Sequence, residues 1–373
     1  VGGLTSERTA RALLSRVAEP GDRRVSRLVA AEGGLGALAA IRSAVAAGER
    51  WAERHAARLT EADPRADLDR VHAVGGRLLI PGDLEWPSQL DDLGELAPWA
   101  LWVRGTVDLR LTALRSVAVV GARAATPYGT HVASMLGSDL AASGWAVVSG
   151  GAYGIDAAAH AGALAAHGVT VGVLACGVDM AYPPRHEALF ARIAADGALV
   201  SEVPPGAAPH RTRFLVRNRV IAALTRGTVV VEAALRSGAL ATARDAERLG
   251  RPLLVVPGPI TSSMSAGVNR ELRAGAIAVT SAAEVIEAVG ELGADLAPRS
   301  DGPLEPRDGL DPLARRVLDA VPARRPATVD SIARIAGVAP AEAAAALGLL
   351  ELAGFVATGP DGWRLARPTG APR

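Results

Sequence analysis

Between Ser116 and about Gly290 the chain repeats one pattern: a short apolar run, a glycine-containing turn, then a stretch of helical length. The runs are SVAVVG (116–121), WAVVSG (145–150), VTVGVLACG (169–177), ALVSEV (198–203), TVVVEA (228–233) and PLLVVPG (252–258). Each is apolar at successive residues rather than at alternate ones. A strand apolar on both faces must be covered on both, as in a parallel sheet held between layers of helices. Parallel strands joined by helices cross over right-handedly, so the pattern predicts an α/β fold, an extended Rossmann-like, doubly wound parallel sheet. Ligands of such folds bind at the carboxyl ends of the strands, which is where these glycine turns fall.

Three turns carry candidate binding groups. Gly121, Ala122 and Arg123 follow the first run and lead to a helix starting near Tyr128. Ser149, Gly150, Gly151, Ala152, Tyr153 and Gly154 follow the second, and Ile155 and Asp156 open the next helix. Ser237 and Gly238 follow the fifth. Glycines at a helix N-terminus let backbone N–H groups approach an anion, although glycine after a strand is also ordinary turn chemistry. The first turn departs from the dinucleotide fingerprint G-x-G-x-x-G, with Arg123 and Pro127 after Gly121. A cationic arm stands where a pyrophosphate would settle, which favours phosphate capture by a side chain over a cofactor; none is expected.

The stretch Arg211–Arg226, RTRFLVRNRVIAALTR, holds five arginines, and no acidic residue lies between Glu202 and Glu232. Phe214, Leu215, Val216, Val220, Ile221 and Leu224 recur at helical spacing. A helix packed through that side presents guanidinium groups from the other. Such groups hold phosphate bidentately, and beside an aromatic ring they suit a nucleic-acid backbone with exposed bases. A solvated amphipathic helix has the same composition, and the run by itself leaves both readings open.

Composition removes several chemistries. All 40 basic residues are arginine, so a phosphate-loop lysine, a Schiff base and a pyridoxal-phosphate lysine are excluded. The single Cys176 excludes an internal disulfide and a multi-cysteine zinc site, and it reads as a small core residue. No uninterrupted apolar run of membrane-spanning length and no signal-peptide core stand out, which predicts a cytoplasmic protein with no membrane partner.

The flanks differ from the centre. Residues 1–75 are helix-biased, with Arg23–Ala31 and Leu35–Ala47 as amphipathic segments joined by glycines. They read as a unit that packs on its neighbour, since both charge signs are mixed throughout. Trp86, Trp99 and Trp102 mark a connector expected to be irregular, within a central domain of residues 76–297. Residues 298–312 are rich in Pro, Gly and Asp and read as a linker. Within 313–366, helices at Leu313–Ala320, Val329–Ala336 and Pro340–Ala353, then two strands around Gly359-Pro360-Asp361-Gly362, predict a winged helix. Six arginines balance six acids from Asp311 to Ala366, and the recognition-helix position carries Glu342 and Glu351 with no base. Phosphate contact needs local positive charge, so this module reads as a protein-contact or regulatory domain.

Catalytic candidates are sparse. Asp156 and His160 could form an acid–base couple, but Asp156 is better read as accepting backbone N–H bonds and His160 as a packing residue. Glu202 and Glu232, at strand ends, could meet a metal or a ribose. The Pro-Gly-Gly-Gly-Thr loop of Rossmann proteins that cleave nucleoside monophosphates is missing.

The ordered set VAVVGAR, YG (128–129), VVSGGAYGIDAAAH (147–160), GVLACGVDMAYPPRH (172–186), LVSEVPPG (199–206), RFLVRNRVIAAL (213–224), VVVEAALRSGALATA (229–243), GRPLLVVPG (250–258) and GVNRELRAGA (267–276) resembles the DprA/Smf family of bacterial DNA-processing proteins. The resemblance covers about half the chain. It implies a non-enzymatic binder of single-stranded DNA that loads the RecA recombinase during DNA uptake and recombination. It also implies a homodimer built on an extended Rossmann domain, flanked by a small helical (SAM-like) domain and a winged helix. By motif, the family's DNA-contacting positions fall on Arg123, Arg211, Phe214, Arg217 and Arg219; Asn218 lies among them. About four phosphate contacts from these arginines imply a slope of log affinity on log salt near −3 for single strands. Gly151, Leu215 and His186 stand where the family often has leucine, proline and asparagine. The alternatives are a nucleotide-processing Rossmann enzyme, which Glu232 would serve, and a winged-helix transcription factor.

Overall fold

The computed structural model describes residues 6–291, 293–298 and 305–366. The chain divides into two compact units, Val1–Pro298 and Arg299–Arg373. Their boundary falls in the expected linker, of which residues 299–304 lie outside the described ones.

Among the described residues of the first unit, one sheet has nine strands: β1 (Gly76–Leu79), β2 (Leu101–Gly105), β3 (Ser116–Val120), β4 (Ala146–Ser149), β5 (Thr170–Leu174), β6 (Ala198–Ser201), β7 (Thr228–Val230), β8 (Leu253–Val255) and β9 (Ile277–Ala278). Their order is β1-β2-β6-β5-β4-β3-β7-β8-β9. All six expected runs are strands, and from β6 to β9 every neighbour pairs parallel. Every residue of β3 to β8 is buried, as strands covered on both faces require.

The helices of this unit are α1 (Glu7–Val17), α2 (Arg23–Ala46), α3 (Glu53–Glu61), α4 (Pro64–Ala73), α5 (Leu109–Leu114), α6 (Pro127–Ala142), α7 (Ile155–Ala165), α8 (Glu187–Asp196), α9 (Arg211–Leu224), α10 (Ala239–Arg248), α11 (Ala266–Ala274) and α12 (Ala282–Val289). Alternate residues of one strand serve opposite layers. Val117 and Val119 pack with Val132 and Leu136 of α6, while Ala118 and Val120 belong with Val220 and Ile221 of α9. Strand β3 has β4 on one side and β7, reached from β6 through α9, on the other. The order therefore reverses at β3, and a crevice opens beyond its carboxyl end.

The tryptophan-bearing connector is not irregular. Strand β1 pairs antiparallel with β2, and β2 antiparallel with β6, Trp102 lying opposite Ser201. Two buried indoles tie this extension to the N-terminal helices: Trp102 Nε1 donates to Ser15 Oγ at 3.1 Å and Trp99 Nε1 to Ser26 Oγ at 3.1 Å. The two segments expected at Arg23–Ala31 and Leu35–Ala47 run together as α2, bent at Gly33 where φ is +69°. By length and composition α2 is apolar enough to cross a membrane. It is bent there, and its Val25, Leu38 and Ile41 pack with Leu13 and Leu14 of α1, as a core helix does.

The second unit holds α13 (Pro312–Ala320), α14 (Val329–Ala336) and α15 (Pro340–Leu352), then a hairpin of β10 (Val356–Gly359) and β11 (Gly362–Leu365). Helices α14 and α15 meet at 103°, within the helix-turn-helix range. An isolated bridge from Ala327 to Trp363 adds a third strand position to the wing.

Candidate nucleic-acid interface

The crevice beyond β3 is a cleft of about 430 Å³, walled by the turn after β3, the first three turns of α9 and the turn into α10. Two glycines bring its rear loops together. A Cβ on Gly121 would stand 2.5 Å from Ile155 Cγ1, and one on Gly154, whose φ is +78°, would stand 2.3 Å from the Ala122 carbonyl. Only glycine permits that approach.

The glycine loop after β4 does not offer its amides to the cleft. Gly150 and Ala152 donate their N–H groups to Asp156 Oδ2 at 3.1 and 3.4 Å. The protein's own carboxylate occupies the place the sequence reading gave to a bound phosphate. Ser149 is fully buried, its hydroxyl donating to the Val119 carbonyl at 2.7 Å. The Gly151 carbonyl accepts from His186 Nδ1 at 3.0 Å. Ser149, Gly150, Gly151 and Gly154 are thus the scaffold behind the cleft, whereas Gly121, Arg123, Phe214, Arg217, Asn218, Ser237 and Gly238 line it.

Helix α9 departs furthest from the solvent-facing fork of guanidiniums. Arg217 is buried and turned inward, donating to the Gly150 carbonyl at 2.9 Å and to the Val173 carbonyl. Burial pulls its guanidinium down to about 10, opposed by the charge of Asp156. Burial likewise pushes the Asp156 carboxyl up, against the pull of Arg217 and the loop amides. Arg219 is buried in a two-pronged pair with Glu202, both contacts 2.6 Å, and donates further to the Leu96 and Val216 carbonyls, each at 2.8 Å. Asn218, also buried, accepts from Arg217 Nε and donates to the Gly238 carbonyl at 3.4 Å. Arg213 is held by Glu19 of the N-terminal segment at 2.8 and 2.9 Å. The cause is the sheet beneath: α9 packs on β3, β4 and β5, and the ends of β4 and β5 leave carbonyls, and the end of β6 leaves Glu202, that need donors.

The cations left in solvent lie mainly in the turns. Arg123 is exposed, its guanidinium 5.1 Å from the centroid of the Phe214 ring. Arg211, the first residue of α9, is exposed one turn before Phe214. Arg236, absent from the sequence-based set, is exposed on the cleft wall before Ser237 and Gly238. Among the described residues none of these three has a side-chain hydrogen-bond or ion-pair partner. The only carboxylate lining the cleft is the buried Asp156. Arg236 stands in the quoted stretch LRSGAL; its position beside the Ser-Gly turn was the available signal.

The carboxylates considered for metal or ribose have internal roles. Glu232 accepts from the Thr126 backbone N–H at 2.9 Å and the Thr126 hydroxyl at 2.7 Å, at the start of α6. Glu202 is the partner of Arg219. His160 is fully buried, with Nδ1 2.7 Å from Thr170 Oγ1. That hydroxyl gives its one proton to the Val147 carbonyl, so His160 Nδ1 donates to it. Burial pulls the imidazole down to about 3, and it is neutral. Burial also pushes the Cys176 thiol up to about 11.

A doubly wound domain with its cleft at the reversal of strand order, followed by a winged helix, defines a two-unit class of Rossmann proteins. The chain belongs to the DNA recombination-mediator protein A family: that family's model matches residues 77–290, and the DprA winged helix domain matches residues 301–362. A DNA processing protein DprA of Mycobacterium tuberculosis is 45% identical over 367 residues, 95% of this chain and 94% of that one. Protein Smf of Escherichia coli is 39% identical over 300 residues, 78% of each. The crystal structure of DNA processing protein A from Streptococcus pneumoniae aligns with a TM-score of 0.65 at 29% identity, over 77% of this chain and 99% of that one. The Helicobacter pylori protein, described for its single-stranded DNA binding mode, aligns with a TM-score of 0.51 at 31% identity, over 57% and 94%.

Proposed function

We propose that this protein is a DNA-processing, recombination-mediator protein that binds single-stranded DNA, without sequence preference, at the cleft beyond β3. The observation that carries the reading is the Arg123–Phe214 stack at the mouth of a cleft with no free carboxylate. Arg123 and Arg236 reach into solvent as phosphate forks, with Arg211 one helical turn along. The Phe214 ring supplies a face for an unpaired base, which a duplex keeps inside its stack. Arg217, Asn218 and Arg219 hold α9 in place and so aim Phe214; they are positioning residues. The Ser237–Gly238 turn, at the start of α10, offers a further phosphate contact beside Arg236.

The role is non-enzymatic on this reading, because Asp156, His160, Glu202 and Glu232 are committed to internal bonds. Delivery of the strand to the RecA recombinase, and action as a homodimer in the cytoplasm, complete the proposal; both rest on family membership. The winged helix serves as a protein-contact or regulatory module. The experiment is a binding assay with an oligonucleotide as single strand and as duplex of equal length, using wild type, Arg123→Ala and Arg236→Ala. The expected result is preference for the single strand, weakened in both variants with unchanged folding. Hydrolysis of a nucleoside monophosphate, lost in Glu232→Gln, would overturn it.

A further inference from the structure

We propose that Tyr182 is a second base-stacking platform, carrying the strand from Phe214 across the loop between β5 and α8, with Arg185 as its phosphate contact. The inference rests on the single-strand reading and extends the site beyond the cleft, whose lining does not include Tyr182 or Arg185.

The chain has twelve aromatic residues other than histidine: three Phe, three Tyr and six Trp. Among the described residues, the rings with substantial exposure are the tyrosines alone: Tyr128 at 45%, Tyr153 at 42% and Tyr182 at 43%. All three lie on loops or helix starts at the carboxyl ends of β3, β4 and β5. Two have a local structural role. The Tyr128 hydroxyl donates to the Pro257 carbonyl at 3.0 Å, and the Tyr153 ring meets His186 edge-on at 4.7 Å.

Tyr182 has no such bond; its ring contact is Phe214, 5.7 Å away and tilted by 47°. Arg123 and Tyr182 both approach the Phe214 ring, and Tyr182 keeps 43% of its surface in solvent. Charge on the same loop agrees. Asp179 is tied to the Gly206 N–H at 2.8 Å, whereas Arg185 is exposed with no hydrogen-bond partner among the described residues. An exposed ring with an unpaired guanidinium on the same loop, in contact with a ring that already meets one, suits the binding of successive unpaired nucleotides.

The test is an affinity ladder of oligothymidylates of increasing length, measured for wild type, Tyr182→Ala, Tyr182→Phe and Arg185→Ala. Wild type gains affinity with length, and Tyr182→Ala removes the last gain, leaving long oligomers roughly fivefold weaker or more and short ones unchanged. Tyr182→Phe keeps the ring and retains the gain, and Arg185→Ala lowers the salt dependence only for long oligomers. If Tyr182→Ala binds every length like wild type, or weakens all lengths equally, the platform is refuted; the second result makes Tyr182 a support for Phe214. A wild-type protein that binds no oligomer overturns the single-strand reading itself, and the extension with it.

Discussion

Helix α9 carries four arginines and α15 carries none, yet α9 buries two of its guanidiniums while α15 leaves Leu349 and Leu352 in solvent at 63% and 87% exposure. Both follow from what lies beneath each helix. Under α9 the parallel strands end in carbonyls and in Glu202, so Arg217 and Arg219 turn inward as donors. Under α15 the winged-helix core is filled by Ala343, Ala346, Leu347 and Leu350, and the remaining leucines face outward with Glu342 and Glu351. Arginine content therefore does not locate a phosphate site. The cations free to meet a backbone stand mostly in turns, at Arg123 and Arg236, and the recognition-helix position of the second unit presents an apolar, acidic surface.

The largest expected effect follows loss of the buried Arg219 side chain. Arg219→Ala leaves Glu202 buried without its partner, and the loss of stability expected is about 3–5 kcal/mol. Arg123→Ala, which touches no carboxylate, should leave stability unchanged within about 0.5 kcal/mol. Chemical denaturation of the two variants measures the contrast. Equal stabilities would mean that Arg219 is free in solution, as a solvent-facing fork requires.

For Phe214 the expected loss is in binding rather than in stability. Phe214→Ala should weaken single-strand binding by about 1–3 kcal/mol with the melting temperature retained. A variant that melts early, and binds poorly only for that reason, would make Phe214 a core residue.

Acid provides a third contrast, inside the sheet. His160 is held neutral at about 3 by burial, below its ordinary 6.5, so the unfolded chain binds a proton that the fold refuses. Stability is lost as pH falls from about 6.5 toward 3, by ~2 kcal/mol between pH 7 and pH 5. His160→Gln should flatten that dependence in denaturant melts at several pH values.

The smallest effect belongs to the winged helix. Removing the chain beyond about Asp308 should leave single-strand affinity nearly unchanged, because the winged-helix stretch from Asp311 to Ala366 is charge-balanced and belongs to a separate compact unit. Oligomeric state or response to a protein partner is what should change. Loss of DNA binding by a folded truncation would make the winged helix the reader.

The six inner strands were legible because burial on both faces writes continuous apolar runs, and the winged helix because its helices carry caps and spacing. Strands β1 and β2 were not. At four and five residues, carrying Arg77 and Arg104, they lack a periodic signal, and it is β6 that recruits them. In the site, Arg123 and Phe214, each read as a DNA contact from its motif, lie 5.1 Å apart, guanidinium to ring. What could not be read was the direction of a side chain. Arg217 and Arg211 are alike in sequence and opposite in exposure, and the amides of Gly150 and Ala152 turn to Asp156 because a buried carboxylate needs them.

On the proposed reading, phosphate contact comes from the exposed arginines Arg123, Arg211 and Arg236, while Arg217 and Arg219 are committed to the fold. Single-strand affinity measured across a range of salt concentrations distinguishes these two sets of arginines. Three contacts at about −0.7 each give a slope near −2 for wild type, and Arg123→Ala or Arg236→Ala should each make it shallower by about 0.7. A slope near −3 or steeper that neither variant changes would place the contacts on the buried arginines or elsewhere, and a flat response would contradict backbone binding at this cleft.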